Sequence, residues 1–231
     1  MNIFTLLYMV CVATALPSWP RDDQASTSDA VWFLPNAPIT RYQVTVIVPA
    51  VSPGGGYHAV WPGLQNEAGT FVFQSVIADS KSPGSWKFWV EYCCNPDYKA
   101  NPIDVYPGDS ITSTFTQDGN GVWTDSWSYN PGPNGAAAGS PPQSGSTTEN
   151  FADRGQLIRG LLALEFQRGG NWDYGQVSWS NIAITASTTN GWCANGYLVS
   201  PAFNIGISPG FQSSDGGSTT CSWSNVDFRS P

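Results

Sequence analysis

The chain has 231 residues; 41% are hydrophobic and 13% aromatic, and only 11% carry charge. Its 9 basic and 17 acidic residues give a formal net charge of −8, which repels phosphate backbones and anionic lipid and argues against nucleic-acid or membrane binding. With 11 Trp and 11 Phe a sizeable core can form, which excludes disorder, and the small number of carboxylates points to a β-rich extracellular protein that tolerates acid.

Residues 3–16 (IFTLLYMVCVATAL) form an uncharged apolar run, and Ala13-Thr14-Ala15 has the small-x-small form of a cleavage site. The run is too short to span a membrane. Residues 1–15 are therefore expected to be a signal peptide and 16–38 an N-terminal extension. Residues 39–187 should form the main domain, and 188–231 a tail packed against it.

Period-two patterns dominate that domain. Residues 43–48 (QVTVIV) alternate and stop at Pro49, before the turn cluster Ser52-Pro53-Gly54-Gly55-Gly56. Residues 70–77 place Phe71, Phe73, Ser75 and Ile77 on one face, with Val72, Gln74 and Val76 on the other. Residues 86–92 split into Trp86, Phe88, Val90 and Tyr92 against Lys87, Trp89 and Glu91. Strands are also expected at 103–105, 110–116, 122–128 and 176–185. The stretch 157–167 suits either a strand or a helix stripe, and 130–146 reads as a loop. Short strands at this spacing predict an all-β, two-sheet antiparallel sandwich.

Four cysteines follow the leader: Cys93, Cys94, Cys193 and Cys221. In an oxidising compartment they predict two disulfides with three possible pairings, of which Cys193 with Cys221 is preferred. No zinc-type spacing occurs, and no metal or cofactor is expected. Asp118, Asp125 and Asp173 are read as solvated turn residues. The lone histidine, His58, is read as a surface or structural residue preceding a strand; with no GxSxG motif, a Ser-His-Asp triad has little support.

Two polar residues interrupt apolar strands. Gln74 lies between Val72 and Val76, and Glu165 closes the run Leu161-Leu162-Ala163-Leu164. A buried carboxyl facing a buried amide would satisfy both groups. The same pair could take a proton from water and stabilise an oxyanion.

These residues, in order, resemble the glutamic peptidase (eqolisin) family of secreted fungal acid peptidases, of which the chain would be a divergent member. The resemblance runs through Val44-x-Val46-x-Val48-Pro49, Trp61-Pro62-Gly63-Leu64-Gln65, Phe73-Gln74, Trp89-Val90-Glu91-Tyr92, Pro107-Gly108-Asp109-Ser110-Ile111, Leu162-Ala163-Leu164-Glu165 and Tyr174-Gly175-x-Val177-x-Trp179. It implies a concanavalin A-like β-sandwich of jelly-roll type and a secreted acid endopeptidase, monomeric and acting on polypeptides. Carried over by residue, Glu165 would be the general base and Gln74 would orient water and stabilise the tetrahedral intermediate. Trp61, Gln65, Trp89 and Glu91 would line the cleft. The chain departs from the pattern at Gln65, where an aspartate is usual, at Ser75-Val76, and at Gly160-Leu161, where an Ala-Glu pair is common. A polysaccharide-active or glycan-binding sandwich is the alternative, with Glu91 as the second carboxyl beside Glu165.

Overall fold

The computed structural model describes residues 27–79, 85–93 and 97–230. The expected leader and Cys94 lie outside the described residues. Two antiparallel sheets of eight strands each pack face to face, as expected for a jelly-roll-type sandwich.

The first sheet comprises β1 (Thr27–Phe33), β3 (Tyr57–Asn66), β4 (Val72–Ala78), β5 (Trp86–Cys93), β6 (Tyr98–Lys99), β7 (Ile103–Val105), β11 (Leu157–Gln167) and β13 (Tyr197–Ser200). They run in the order β13-β1-β11-β3-β4-β5-β6, with β7 also on β5. The second sheet holds β2 (Ile39–Ile47), β8 (Ser110–Gln117), β9 (Val122–Asn130), β10 (Gln143–Asn150), β12 (Val177–Ala186), β14 (Ile205–Ile207), β15 (Phe211–Asp215) and β16 (Ser218–Phe228). Its order is β10-β9-β8-β2-β12-β16-β14, with β15 on β16.

Alternation decides which side chains fill the space between the sheets. From the first sheet Val60, Leu64, Phe73, Ile77, Phe88, Val90, Leu162 and Leu164 join Tyr42, Val44, Val46, Ile111, Phe115, Trp123, Trp179 and Ile184 of the second in one core. Phe73 meets Phe115 edge-on, with ring centroids 5.2 Å apart. The first sheet also buries its outer face, where Ala59, Trp61, Val72, Val76, Ala78, Trp89, Cys93, Leu161 and Ala163 form a separate cluster. That double burial explains why β3, β4 and β11 read as nearly continuous apolar runs.

Several expectations change. The stretch 130–146 is not one loop: it contains a short helix, α1 (Pro133–Ala137), and begins β10. The ambiguous 157–167 is a strand, because both its faces are buried in a sheet and its leucines divide between the two clusters. The segment 27–33, counted with the extension, is β1 and pairs with both β11 and β13. The tail contributes strands to both sheets, and β16 pairs along the length of β12. Cys193 and Cys221 form a disulfide, the pairing preferred from the sequence. Asp125 is not a solvated turn residue: it is wholly buried in β9.

Candidate functional site

Strand register places the polar residues of the outer face. Leu198 of β13, Trp32 of β1, Leu161 of β11, Gly63 of β3, Gln74 of β4, Glu91 of β5 and Lys99 of β6 are consecutive cross-strand partners. They form one row straight across the sheet. Residues an even number of positions away share its face, which adds Trp61, Gln65, Trp89 and Glu165. All six residues expected at the site therefore lie on one face of one sheet. Gln74, Glu91 and Glu165 are only 1%, 4% and 3% exposed.

Their mutual contacts differ from the expected pairing. The Gln74 amide donates to Glu91 Oε1 at 3.2 Å, and the Trp89 indole donates to Glu91 Oε2 at 2.6 Å. Glu165 instead accepts from the Gln167 amide at 2.5 Å. The β11 residue in line with Gln74 is Leu161; Glu165 sits four positions further along the strand, about 13 Å at strand rise. Two amide–carboxyl pairs thus share the face. Register is the reason: parity put Gln74 and Glu165 on the same side, but long-range pairing set the offset.

Burial raises the Glu91 pKa to about 7; nearby Glu165 adds to the rise, while the hydrogen bonds from Trp89 and Gln74 and the charge of Lys99 oppose it. Glu91 therefore holds its proton throughout the acid range. Lys99 Nζ stands 3.5 Å from the centroid of the Trp89 ring, a cation–π contact that braces this end of the row. Tyr57, on the same face of β3, has its pKa raised well above the usual tyrosine value by burial and by the charges of Glu165 and Glu91.

Gly63 lets Gln74 and Trp61 pack closely at the middle of the row. A Cβ there would meet Phe73 O at 2.9 Å, Gln74 Cβ at 3.1 Å and Trp61 Cε3 at 3.3 Å. On either side of it two buried polar atoms, Trp61 Nε1 and Gln74 Oε1, have no hydrogen-bond partner among the described residues. Buried groups of this kind ordinarily find partners. Asp125 Oδ1, Tyr174 OH, Trp179 Nε1 and Trp192 Nε1 are open in the same way, and here a donor and an acceptor share one face of the sheet. Gln65 holds its carbonyl oxygen 3.1 Å from Arg159 Nη1, at the rim of the same face.

Sequence reasoning missed a second constellation. His58 lies inside β3 and is wholly buried, not on the surface. Its Nδ1 is 2.6 Å from Asp79 Oδ2, and its Nε2 is 3.4 Å from Ser52 Oγ. This is the order of a Ser-His-Asp relay. Ser52 is buried and accepts the Gly54 N–H, while the Asn171 N–H also donates to His58 Nε2. The three residues join the loops around 52–54 and 169–173 to the end of β3. Only the lone histidine in the sequence signalled it. Among the described residues no group of three or more His, Cys, Asp or Glu side chains could hold a metal ion.

No protein-family profile and no curated protein sequence matches the chain. Solved structures do. A scytalido-glutamic peptidase bound to a transition-state analogue inhibitor superposes with a TM-score of 0.55 at 15% identity, covering 87% of this chain and 99% of that one. The same peptidase with a peptide-based transition-state analogue gives 0.52 at 15% identity, with the same coverage of both chains. SCP-B, a member of the eqolisin family in complex with the tripeptide Ala-Ile-His, gives 0.52 at 15% identity and again 87% and 99% coverage. At this identity the likeness is one of fold: the chain has a glutamic peptidase-like sandwich.

Proposed function

We propose that the chain is a secreted, acid-active endopeptidase, and that the outer face of the first sheet is its polypeptide site. The observation that carries this reading is the unpartnered acceptor on Gln74 and donor on Trp61, flanking Gly63 beside a carboxyl that keeps its proton. A peptide unit presents one N–H and one C=O, the complement of that pair. The glutamic peptidase-like fold supports the same substrate class.

In this reading Glu165 as carboxylate is the base, and the offset along β11 must be closed for it to take a proton from water attacking a carbonyl held at Gln74. Gln74 donates to the oxygen that gains charge in the tetrahedral intermediate, and Glu91 as carboxylic acid protonates the leaving nitrogen. Trp61 and Trp89 wall the site, and Gln65 meets the substrate backbone at the rim. Activity falls as pH rises through about 7, where Glu91 loses its proton. The test is digestion of a denatured protein at pH 2–5, with pepstatin present to silence aspartic peptidases. Wild type, Glu165→Gln and Glu91→Gln are compared. Cleavage by wild type that both substitutions abolish supports the reading; an intact substrate at every pH overturns it.

One observation favours a second reading, hydrolysis of polysaccharide. Glu91 and Glu165 are two buried carboxyls on one face, and the charge of Glu165 adds to the rise in the Glu91 pKa; a glycosidase works with such a pair of carboxyls. Cleavage of a glycan panel, with polypeptide left intact, would select it.

A further inference from the structure

At the far end of the cross-sheet row from Glu91 lies a cavity of about 200 Å³. Trp32, Leu34, Leu198 and Pro201 form its apolar wall, and Gln65 and Arg159 its polar edge. The edge is rigid: Arg159 donates to Asn66 O at 2.7 Å, to Glu67 O at 2.9 Å and to Gln65 Oε1 at 3.1 Å. With its oxygen committed to Arg159, Gln65 has its amide N–H group left for a ligand carbonyl. Leu198 is 51% exposed, one of three large apolar side chains open to solvent among the described residues.

The volume indicates the occupant. A cavity of ~150 Å³ holds benzene, whereas whole drug-sized ligands occupy ~300–1,000 Å³. One ring or one large aliphatic side chain fits. Trp32 and Leu198 are members of the row that contains Gln74 and Glu91. From Gln74 to Trp32 is three strand spacings, about 14 Å. An extended chain covers that distance in about four residues.

We propose that this cavity is a specificity subsite, which accepts an aromatic or large aliphatic side chain about four residues from the peptide unit held at Gln74. The proposal rests on the polypeptide reading of the outer face. It makes the tail a determinant of selectivity, because β13 supplies Leu198 and the following turn supplies Pro201. Without the tail the cavity would lose that wall.

The experiment walks one p-benzoylphenylalanine through eight-residue Ala/Ser peptides at pH 4. Photocrosslinks to the protein are mapped by mass spectrometry, and cleavage is followed in parallel. One register of the walk should crosslink to residues 197–201. Leu198→Arg should lower that yield tenfold or more. Ile47→Arg, a comparably exposed apolar position on the other sheet, should leave it unchanged. Crosslinks elsewhere, or a yield indifferent to Leu198→Arg, overturn the subsite. Crosslinking at 197–201 without cleavage keeps the subsite and removes the peptidase chemistry. Cleavage with no positional preference removes the subsite and keeps the chemistry.

Discussion

Buried carboxyls lie on both sides of the first sheet, Asp125 of β9 against its inner face and Glu91 on its outer face, and these two sit in different company. Between the sheets Asp125 accepts a hydrogen bond from Ser75 Oγ, which in turn accepts from Ser113 Oγ at 2.8 Å. On the outer face Glu91 has an amide, an indole, a second carboxyl and a lysine around it. Burial is the main cause in both cases, and both pKa values rise to about 7. A raised pKa alone therefore does not mark a site. The surroundings do. Each has a buried acceptor beside it that is unpartnered among the described residues, Asp125 Oδ1 and Gln74 Oε1. But Asp125 has one hydroxyl, Ser75, as its partner between the sheets, whereas Glu91 has an amide, an indole and a lysine about it and shares its face with the open donor of Trp61.

The sharpest way to break this contrast is to remove each carboxyl. Glu91→Gln keeps the shape and loses the titratable proton, and should lower the cleavage rate by ~10²–10⁴-fold in the assay at pH 4. Asp125→Asn should leave that rate within twofold.

A second change sharpens the geometry. Leu161→Glu places a carboxyl in line with Gln74 across Gly63, where the row has an apolar side chain. The expected outcome is a rise of about tenfold in acid cleavage, since a base two strand spacings from the amide is better placed than one displaced along β11. An unchanged rate, in a variant whose thermal melt matches wild type despite the buried position of Leu161, would show that the in-line position gives no advantage over Glu165. Gly63→Ala should reduce the rate severalfold and lower the Tm as well, because the new methyl lands 2.9 Å from the Phe73 carbonyl oxygen and crowds Gln74 Cβ and Trp61.

Stability against pH is the smallest effect and tests the inner carboxyl. Both groups have folded pKa values above their unfolded ones of 3.8 and 4.5. Their contribution is therefore complete below about pH 4 and is lost as pH rises toward about 7. Thermal melts should give a higher Tm at pH 4 than at pH 8. Asp125→Asn should narrow the gap by raising the Tm at pH 8, at ~2–4 °C per kcal/mol for a chain of this size. A melt that moves equally at both pH values would show that the serine network, not the proton, governs the site.

Much of this was legible beforehand. The alternation in 70–77 and 86–92 separated Phe73 from Gln74 and Phe88 from Trp89 before any strand had a neighbour, and the structure keeps those faces. Burial of Glu165 within an apolar run was also a fair signal. Asp125 was misread because nearby glycines suggested a turn, while Trp123 and Trp127 flanking it carried the strand signal. The triad-like His58 could not be foreseen, since Ser52 and Asp79 are brought to it by loop closure and by the β3–β4 pairing. The strands of the tail were hidden by their Gly/Ser content, which pairing with β1 and β12 overrides.

The sequence by itself determined the fold class, the two faces of each central strand and the residue types available for chemistry. Those properties are local: side chains alternate with a period of two, and apolar content decides which face is buried. Only the tertiary structure decided that Gln74 bonds to Glu91, that Leu161 occupies the position in line with it, and that a tail strand walls the cavity at the end of the row. Those depend on sheet order and register, which come from pairings between residues more than a hundred positions apart, such as Trp32 with Leu161. Shifting any one strand by a single residue would send its side chains to the opposite face and dismantle the row.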